Sequence, residues 1–211
     1  MASSADLGYP RAESVRGVIA LAAKYKTRGL APIILVAAVL AGGAVRADDK
    51  GIVDEIKLGV LDHDIALGGS AIESGADLNG EILFTSPDFL SFLWSPRPHL
   101  GVAINTNGNT DQAYFGLTWG LPLVRHIVGQ GDALTIYGSL GGAFQDGYTS
   151  NAPLGRKNLG SVILFREAIE LGYQITPVYS LSAIVDHISN ANLANHNAGI
   201  TGAGGRTGIK F

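Results

Sequence analysis

The 211-residue chain has no cysteine, which excludes a disulfide scaffold, a thiolate metal site and a cysteine nucleophile. Charge is scarce at 16% of residues, and aromatics make up 8% with only two tryptophans. A bundle of helices with solvated outer faces would carry more charge than this. A sustained helical period is also missing after residue 48, as is any internal repeat. Positive charge is lacking there too: over residues 48–211, nine Lys and Arg stand against 16 Asp and Glu, a net charge of −7. A surface of that sign carries no nucleic-acid footprint.

The chain is instead rich in glycine, with 29 residues, and has one marked apolar run, Ala31 to Gly43. Lys24, Lys26 and Arg28 precede it and Ala44-Val45-Arg46-Ala47 follows, ahead of Asp48-Asp49. A membrane-spanning helix needs about 20 apolar residues, and this run is shorter. It fits the apolar core of a secretory signal, with Val45 and Ala47 as the small residues before a cut after Ala47. Residues 1–47 are therefore expected to be a signal peptide with an N-terminal extension, and residues 48–211 the mature domain.

That domain reads as alternating segments of strand length, separated by Gly, Asn, Asp and Pro. Eight are expected, at about 52–64, 75–85, 97–105, 111–122, 133–145, 160–173, 178–191 and 199–211. Asn107-Gly108-Asn109 signals a hairpin, and residues 145–157 a longer polar loop. In the sixth segment Ile163, Phe165, Ile169, Leu171 and Tyr173 share one face, interrupted by Glu167. In the eighth, Thr201, Ala203, Gly205, Thr207, Ile209 and Phe211 oppose Arg206 and Lys210. One apolar and one polar face in strands of this length predict an all-β fold, an eight-stranded antiparallel transmembrane β-barrel. A soluble lipocalin-like barrel with its apolar face inward is the alternative. The signal segment, the terminal Phe211 and the polar second face favour the membrane form.

His187 and Ser189 stand two residues apart at the end of the apolar stripe Leu181, Ala183, Val185. A neutral imidazole within reach of a serine hydroxyl can take its proton and make it a nucleophile. Asp186 points to the other face by strand parity. The remaining histidines, His63, His99, His126 and His196, show no ligand spacing with carboxylates, and solvated positions are expected for them.

The run His187-x-Ser189-Asn190-Ala191, then Asn197, Gly199 and a last strand ending at Phe211, resembles the lipid A 3-O-deacylase (PagL) family of outer-membrane barrels. A weaker likeness runs through Glu55-Ile56-Lys57-Leu58-Gly59-Val60, Phe165-Arg166-Glu167 and Glu170-Leu171-Gly172-Tyr173. The resemblance implies an esterase of the outer membrane that removes the acyl chain at the 3-position of lipid A. Ser189 would be the nucleophile, His187 the general base, and Asn197, with Asn190 as a second donor or turn residue, would face the oxyanion. No metal or cofactor is implied. The partners would be lipopolysaccharide and the surrounding lipid, with a homodimer as a candidate assembly. The sequence departs from the family at Thr201, twelve residues after Ser189, where members with a complete triad place a glutamate. Thr201 can orient the imidazole but adds no charge, and Glu167 on the preceding strand is the alternative acid. Pairing Tyr173 with Tyr179 would put Glu167 opposite Val185 and diagonal to His187. A barrel that has weakened or lost its chemistry and keeps a structural or interaction role is the competing expectation.

The mature protein is expected to begin at Asp48. An intact mass measured on the protein purified from outer membranes tests this, and a species that retains Ile33 to Val39 would refute it.

Overall fold

The structure, a computed structural model, describes residues 51–211 apart from Gly68; the expected signal peptide and its cut lie outside the described residues. Eight strands follow one another: β1 (Val53–Asp62), β2 (Ala76–Phe84), β3 (Arg97–Asn105), β4 (Gln112–Arg125), β5 (Ala133–Gln145), β6 (Ile163–Gln174), β7 (Tyr179–Ser189) and β8 (Ile200–Lys210). Each pairs antiparallel with its neighbour, and β1 closes on β8 from Glu55↔Lys210 to Asp62↔Ala203, so the sheet is a closed barrel. The expected segments match these strands to within three residues. The largest differences have local causes. β4 runs past Pro122, which cannot donate to the ladder, by a bulge between Pro122 and Val124. β6 starts late because Leu159 and Gly160 donate backbone hydrogen bonds to Tyr148 and Thr149 of the preceding loop.

The alternation has the expected sense. Leu58, Val60, Leu78, Phe115, Leu140, Phe165, Ile169, Leu171 and Leu181 are exposed on the outer wall. Their neighbours in the strands, Lys57, Asn79, Glu81, Arg166, Glu170 and Arg206, are buried inside. A lipocalin-like barrel would reverse these faces. The chain is therefore a transmembrane barrel, and because every strand is hydrogen-bonded on both sides no edge is left to lipid.

An eight-stranded barrel is narrow enough for its side chains to fill, and here they do so with ion pairs. Arg166 Nη2 lies 2.9 Å from Asp186 Oδ2, and its guanidinium carbon sits 3.7 Å over the Tyr114 ring. Arg206 bridges Glu81 and Glu170, Lys57 donates to Glu170 at 2.9 Å, and Arg97 reaches Glu55 at 2.9 Å. An apolar cluster of Tyr114, Ala143, Leu159, Leu164, Ile188 and Ile200 packs at one end.

That end carries the longest connection, residues 146–162, together with those at 63–75 and 190–199. In barrels of this kind the long loops face outward and the tight turns face the periplasm. The opposite end holds Gly51, where the described residues begin, Phe211 and the turn 175–178.

A closed barrel of this kind should migrate differently on gels before and after boiling, and its circular dichroism should be that of strand. Within the barrel, Asp186→Ala would strand the buried Arg166 guanidinium, and breaking a buried pair from one side typically destabilises by about 3–5 kcal/mol. The midpoint of urea unfolding in micelles should fall accordingly; an unchanged midpoint would show that Asp186 contributes nothing to stability.

Candidate active site

The outer ends of β6, β7 and β8 assemble the site. Parity turns His187 and Ser189 outward with Val185 and Leu181, and the paired registers set Thr201 directly opposite His187 on one side and Glu167 directly opposite on the other. The expected pairing of Tyr173 with Tyr179 is not what forms. Tyr173 pairs with Leu181, which moves Glu167 from a diagonal to a direct neighbour of His187. The reason lies in the turn, where Thr176 Oγ1 accepts from the amides of Val178 and Tyr179 and Ile175 N–H donates to Tyr179 O, which lengthens the loop. Glu167 is exposed beside the imidazole, and among the described residues no hydrogen bond joins the two.

His187 Nδ1 lies 2.8 Å from Thr201 Oγ1, and Thr201 Oγ1 in turn lies 3.1 Å from Leu67 O. A carbonyl can only accept, so the single hydroxyl proton of Thr201 goes to Leu67 and the hydroxyl can only accept from the imidazole. Nδ1 therefore carries the proton, and the lone pair sits on Nε2. The ring packs close against Gly199, where a Cβ would come within 2.6 Å of His187 Cε1 and 2.8 Å of Nε2. Any larger residue at that position would push the imidazole away. His187, Ser189, Asn197, Gly199 and Thr201 line one cavity of about 290 Å³, closed from the loop side by Ile65, Leu67, Ser70 and Ile72.

The two asparagines differ in what they have left to give. Asn190 is buried, and its two amide protons go to the carbonyls of Leu159 and His196. Asn197, which lines the cavity, accepts from Asn190 N–H at 2.9 Å and donates one proton to Asn192 Oδ1 at 3.1 Å, and its second proton has no partner among the described residues. Asp186 points inward, as parity requires, and is held by Arg166.

The loops above the cavity are tied by charge. Lys157 Nζ bridges Asp64 and the carbonyl of Gly199, the latter at 2.6 Å. Glu73 accepts from Arg156 Nε, the amides of Lys157 and Thr110, and His63 Nε2. His63 Nδ1 faces Asp77 Oδ2 at 2.8 Å. Here the sequence expectation fails: His63 and His99 are buried rather than solvated. His99 sits inside the barrel on Thr118, and His63 meets carboxylates ten and fourteen residues away because the 63–75 loop and the β1–β2 hairpin fold them together. The Leu67 carbonyl, Lys157 and the 63–75 loop carry no periodicity or motif, so nothing in the sequence pointed to them.

A sequence model of the family described as "Lipid A 3-O-deacylase (PagL)" matches residues 75–210. The crystal structure of the outer membrane enzyme PagL superposes with a TM-score of 0.55 at 17% identity, covering 74% of this chain and 99% of that one. The N-terminal β-barrel domain of Pseudomonas aeruginosa OprF gives 0.44 at 13% identity, covering 75% and 98%. Neisserial surface protein A gives 0.46 at 10%, covering 74% and 96%. No curated protein matches the chain by sequence. At 17% identity the likeness to the PagL crystal structure is one of fold, and it gives no support to a homodimer.

The loop network sets a pH window. Burial opposes the charge on His63, but the hydrogen bonds and field of Asp77 and Glu73 outweigh it and raise its pKa to about 9. Burial likewise opposes the Glu73 carboxylate, and its donors, His63 first, hold its pKa far below the usual range. The stabilisation from His63 is thus complete below about 6.5, the pKa of a free histidine, and is lost as pH rises through about 9. That from Glu73 is lost on strong acidification. Proteolysis of the outer loops in micelles should therefore accelerate across the alkaline window in the wild type, and His63→Gln should abolish that pH dependence. Cleavage independent of pH in the wild type would contradict it.

Proposed function

Because the chain belongs to the lipid A 3-O-deacylase (PagL) family of outer-membrane barrels, we propose that it hydrolyses the ester-linked acyl chain at the 3-position of lipid A as a serine esterase. The observation that carries this reading is the chain Leu67 O, Thr201 Oγ1, His187 Nδ1, which leaves Nε2 as a base in the cavity that Ser189 shares. That cavity opens on the outer wall of the barrel, beside the apolar belt. A lipid ester can reach it from the leaflet with its acyl chain still among lipids.

His187 Nε2 takes the proton of Ser189 as Oγ attacks the ester carbonyl, and the free amide proton of Asn197 faces the oxygen that becomes negative. The imidazolium then protonates the leaving sugar oxygen, giving an acyl-serine and the 3-hydroxyl of lipid A. Water, deprotonated by the same imidazole, releases the fatty acid and regenerates Ser189. Thr201 is a positioning residue in this scheme. It fixes the tautomer but offers the imidazolium a dipole where a carboxylate would offer a charge, and an orienting acid is worth up to about ten-thousand-fold where a triad is built around it.

A second reading of the acid rests on Glu167, which stands directly opposite His187 on the outward face. A carboxylate there can stabilise the imidazolium through a small side-chain movement without replacing Thr201.

Mass spectrometry of lipid A from a heterologous host expressing each variant separates these readings. Ser189→Ala and His187→Ala should each abolish deacylation, and Thr201→Glu should raise it by one or two orders of magnitude at most. With Glu167 as the working acid, Glu167→Gln impairs the reaction and Thr201→Glu gives no gain. Activity that survives Ser189→Ala ends the serine-esterase reading. A silent wild type beside an active Thr201→Glu identifies a barrel that has kept the site and lost its chemistry.

A further inference from the structure

The connection between β2 and β3 is at the periplasmic end and is more than a turn. It forms a short 3-10 helix, Asp88–Leu93, followed by Trp94 in the left-handed region at φ 63°. Leu90 is its buried anchor, while Phe89, Phe92 and Trp94 are 72%, 76% and 87% exposed. Three large aromatics presented together on a turn in water would be an apolar patch without a purpose. β3 begins at Arg97, opposite Thr118, whereas β4 runs on to Arg125. The connection therefore packs along the part of β4 that β3 leaves unpaired. Trp119 holds it there, since the indole Nε1–H on the outer wall donates to Leu93 O at 2.8 Å.

Beside this tie lies a groove of about 380 Å³, lined by Trp94, Trp119, Leu121, Ile136, Gly138 and Ile169. Gly138 is its floor. The registers place Trp119 and Ile169 on either side of Gly138 on the outward face, and a Cβ there would have nothing within 4 Å. The groove has no charged lining residue and runs directly into the lipid-facing belt through Ile136 and Ile169.

We propose that the β2–β3 connection is a membrane-inserted anchor, and that the groove beside it holds one acyl chain of a phospholipid of the periplasm-facing leaflet. An alkyl chain matches the apolar lining, and the contact of the belt with lipid continues into the groove through Ile136 and Ile169. Aromatic rings are favoured at this depth because their flat apolar bodies sit where acyl chains meet head groups. The proposal stands apart from the chemistry at Ser189, which is at the other end of the barrel.

The two tryptophans are the only ones in the chain, so each can be read separately. The full mature protein is refolded into phosphatidylcholine vesicles with plain or brominated acyl chains, and folding of each variant is checked by its heat-dependent gel shift. With the Trp119 tie intact, the Trp94 signal is the difference in emission between the wild type and Trp94→Phe; it should be quenched by brominated lipid and shielded from aqueous iodide, and the reverse would place the connection in water and overturn the anchor. In Trp94→Phe, Trp119 should be quenched by brominated lipid. Adding Gly138→Leu, which fills the groove, should remove most of that quenching, while Gly138→Ala should leave it intact. Quenching of Trp119 that is equal in the Leu and Ala variants would show that no chain lies in the groove. Gly138→Val is a second filling variant, and it should give the same loss. Quenching of Trp119 that is lost when a periplasmic protein fraction is added would assign the groove to a protein and also overturn the proposal.

Discussion

The constraint on which everything else in this protein depends is that a bilayer offers no hydrogen-bond partners. Each N–H and C=O of a spanning segment has to be satisfied by the chain itself, and a sheet can do that only by closing. The β1–β8 ladder from Glu55↔Lys210 to Asp62↔Ala203 is the closure. It makes the barrel narrow, and a narrow barrel has two consequences. The interior cannot be a channel, so it is packed with paired charges such as Arg166–Asp186 and Lys57–Glu170. The candidate site also lies on the wall, where the strands meet lipid.

On that wall the site is a matter of rows. One register line carries Glu167, His187 and Thr201 across β6, β7 and β8, with Ser189 one step further along β7. Such a row is held more rigidly than residues on loops would be, because Glu167 and His187 lie in ladders on both sides and Thr201 is paired with β7 on one side and accepts from Ile65 N–H on the other. Orientation of the imidazole is then a local question. It is answered by a threonine hydroxyl on one side and the close approach of Gly199 at Cε1 and Nε2. A glutamate at 201 would supply charge as well as direction. In this chain direction comes from Thr201, and the nearest carboxylate in the row is Glu167.

The loops complete the site from above. Leu67 reaches down to Thr201 and Lys157 grips the Gly199 carbonyl, and both are placed by the same charged cluster of Asp64, Glu73, His63 and Asp77. The row of Glu167, His187 and Thr201 and the outer loops are thus one structure, and loosening the cluster would free the carbonyl that sets the tautomer of His187. The family likeness covers residues 75–210, which includes the row but not the 63–75 loop before its last residue.

The sequence by itself determined the barrel and which wall each residue faces. A period of two is a local property of the chain, and it made the outward set of Leu181, Val185, His187, Ser189 and Thr201 and the inward Asp186 legible without any structure. The spacing around His187 and Ser189 likewise marked the candidate site. Tertiary structure decided what depends on register and on loop paths. The turn at Thr176 shifted β6 against β7 by enough to bring Glu167 beside His187, which no periodicity encodes because every even shift preserves the faces. The burial of His63 between Asp77 and Glu73, the Leu67 carbonyl on Thr201 and the Trp119 tie to Leu93 join residues whose separation along the chain carries no pattern. Parity is written residue by residue, whereas contacts between loops and walls exist only once the barrel has closed.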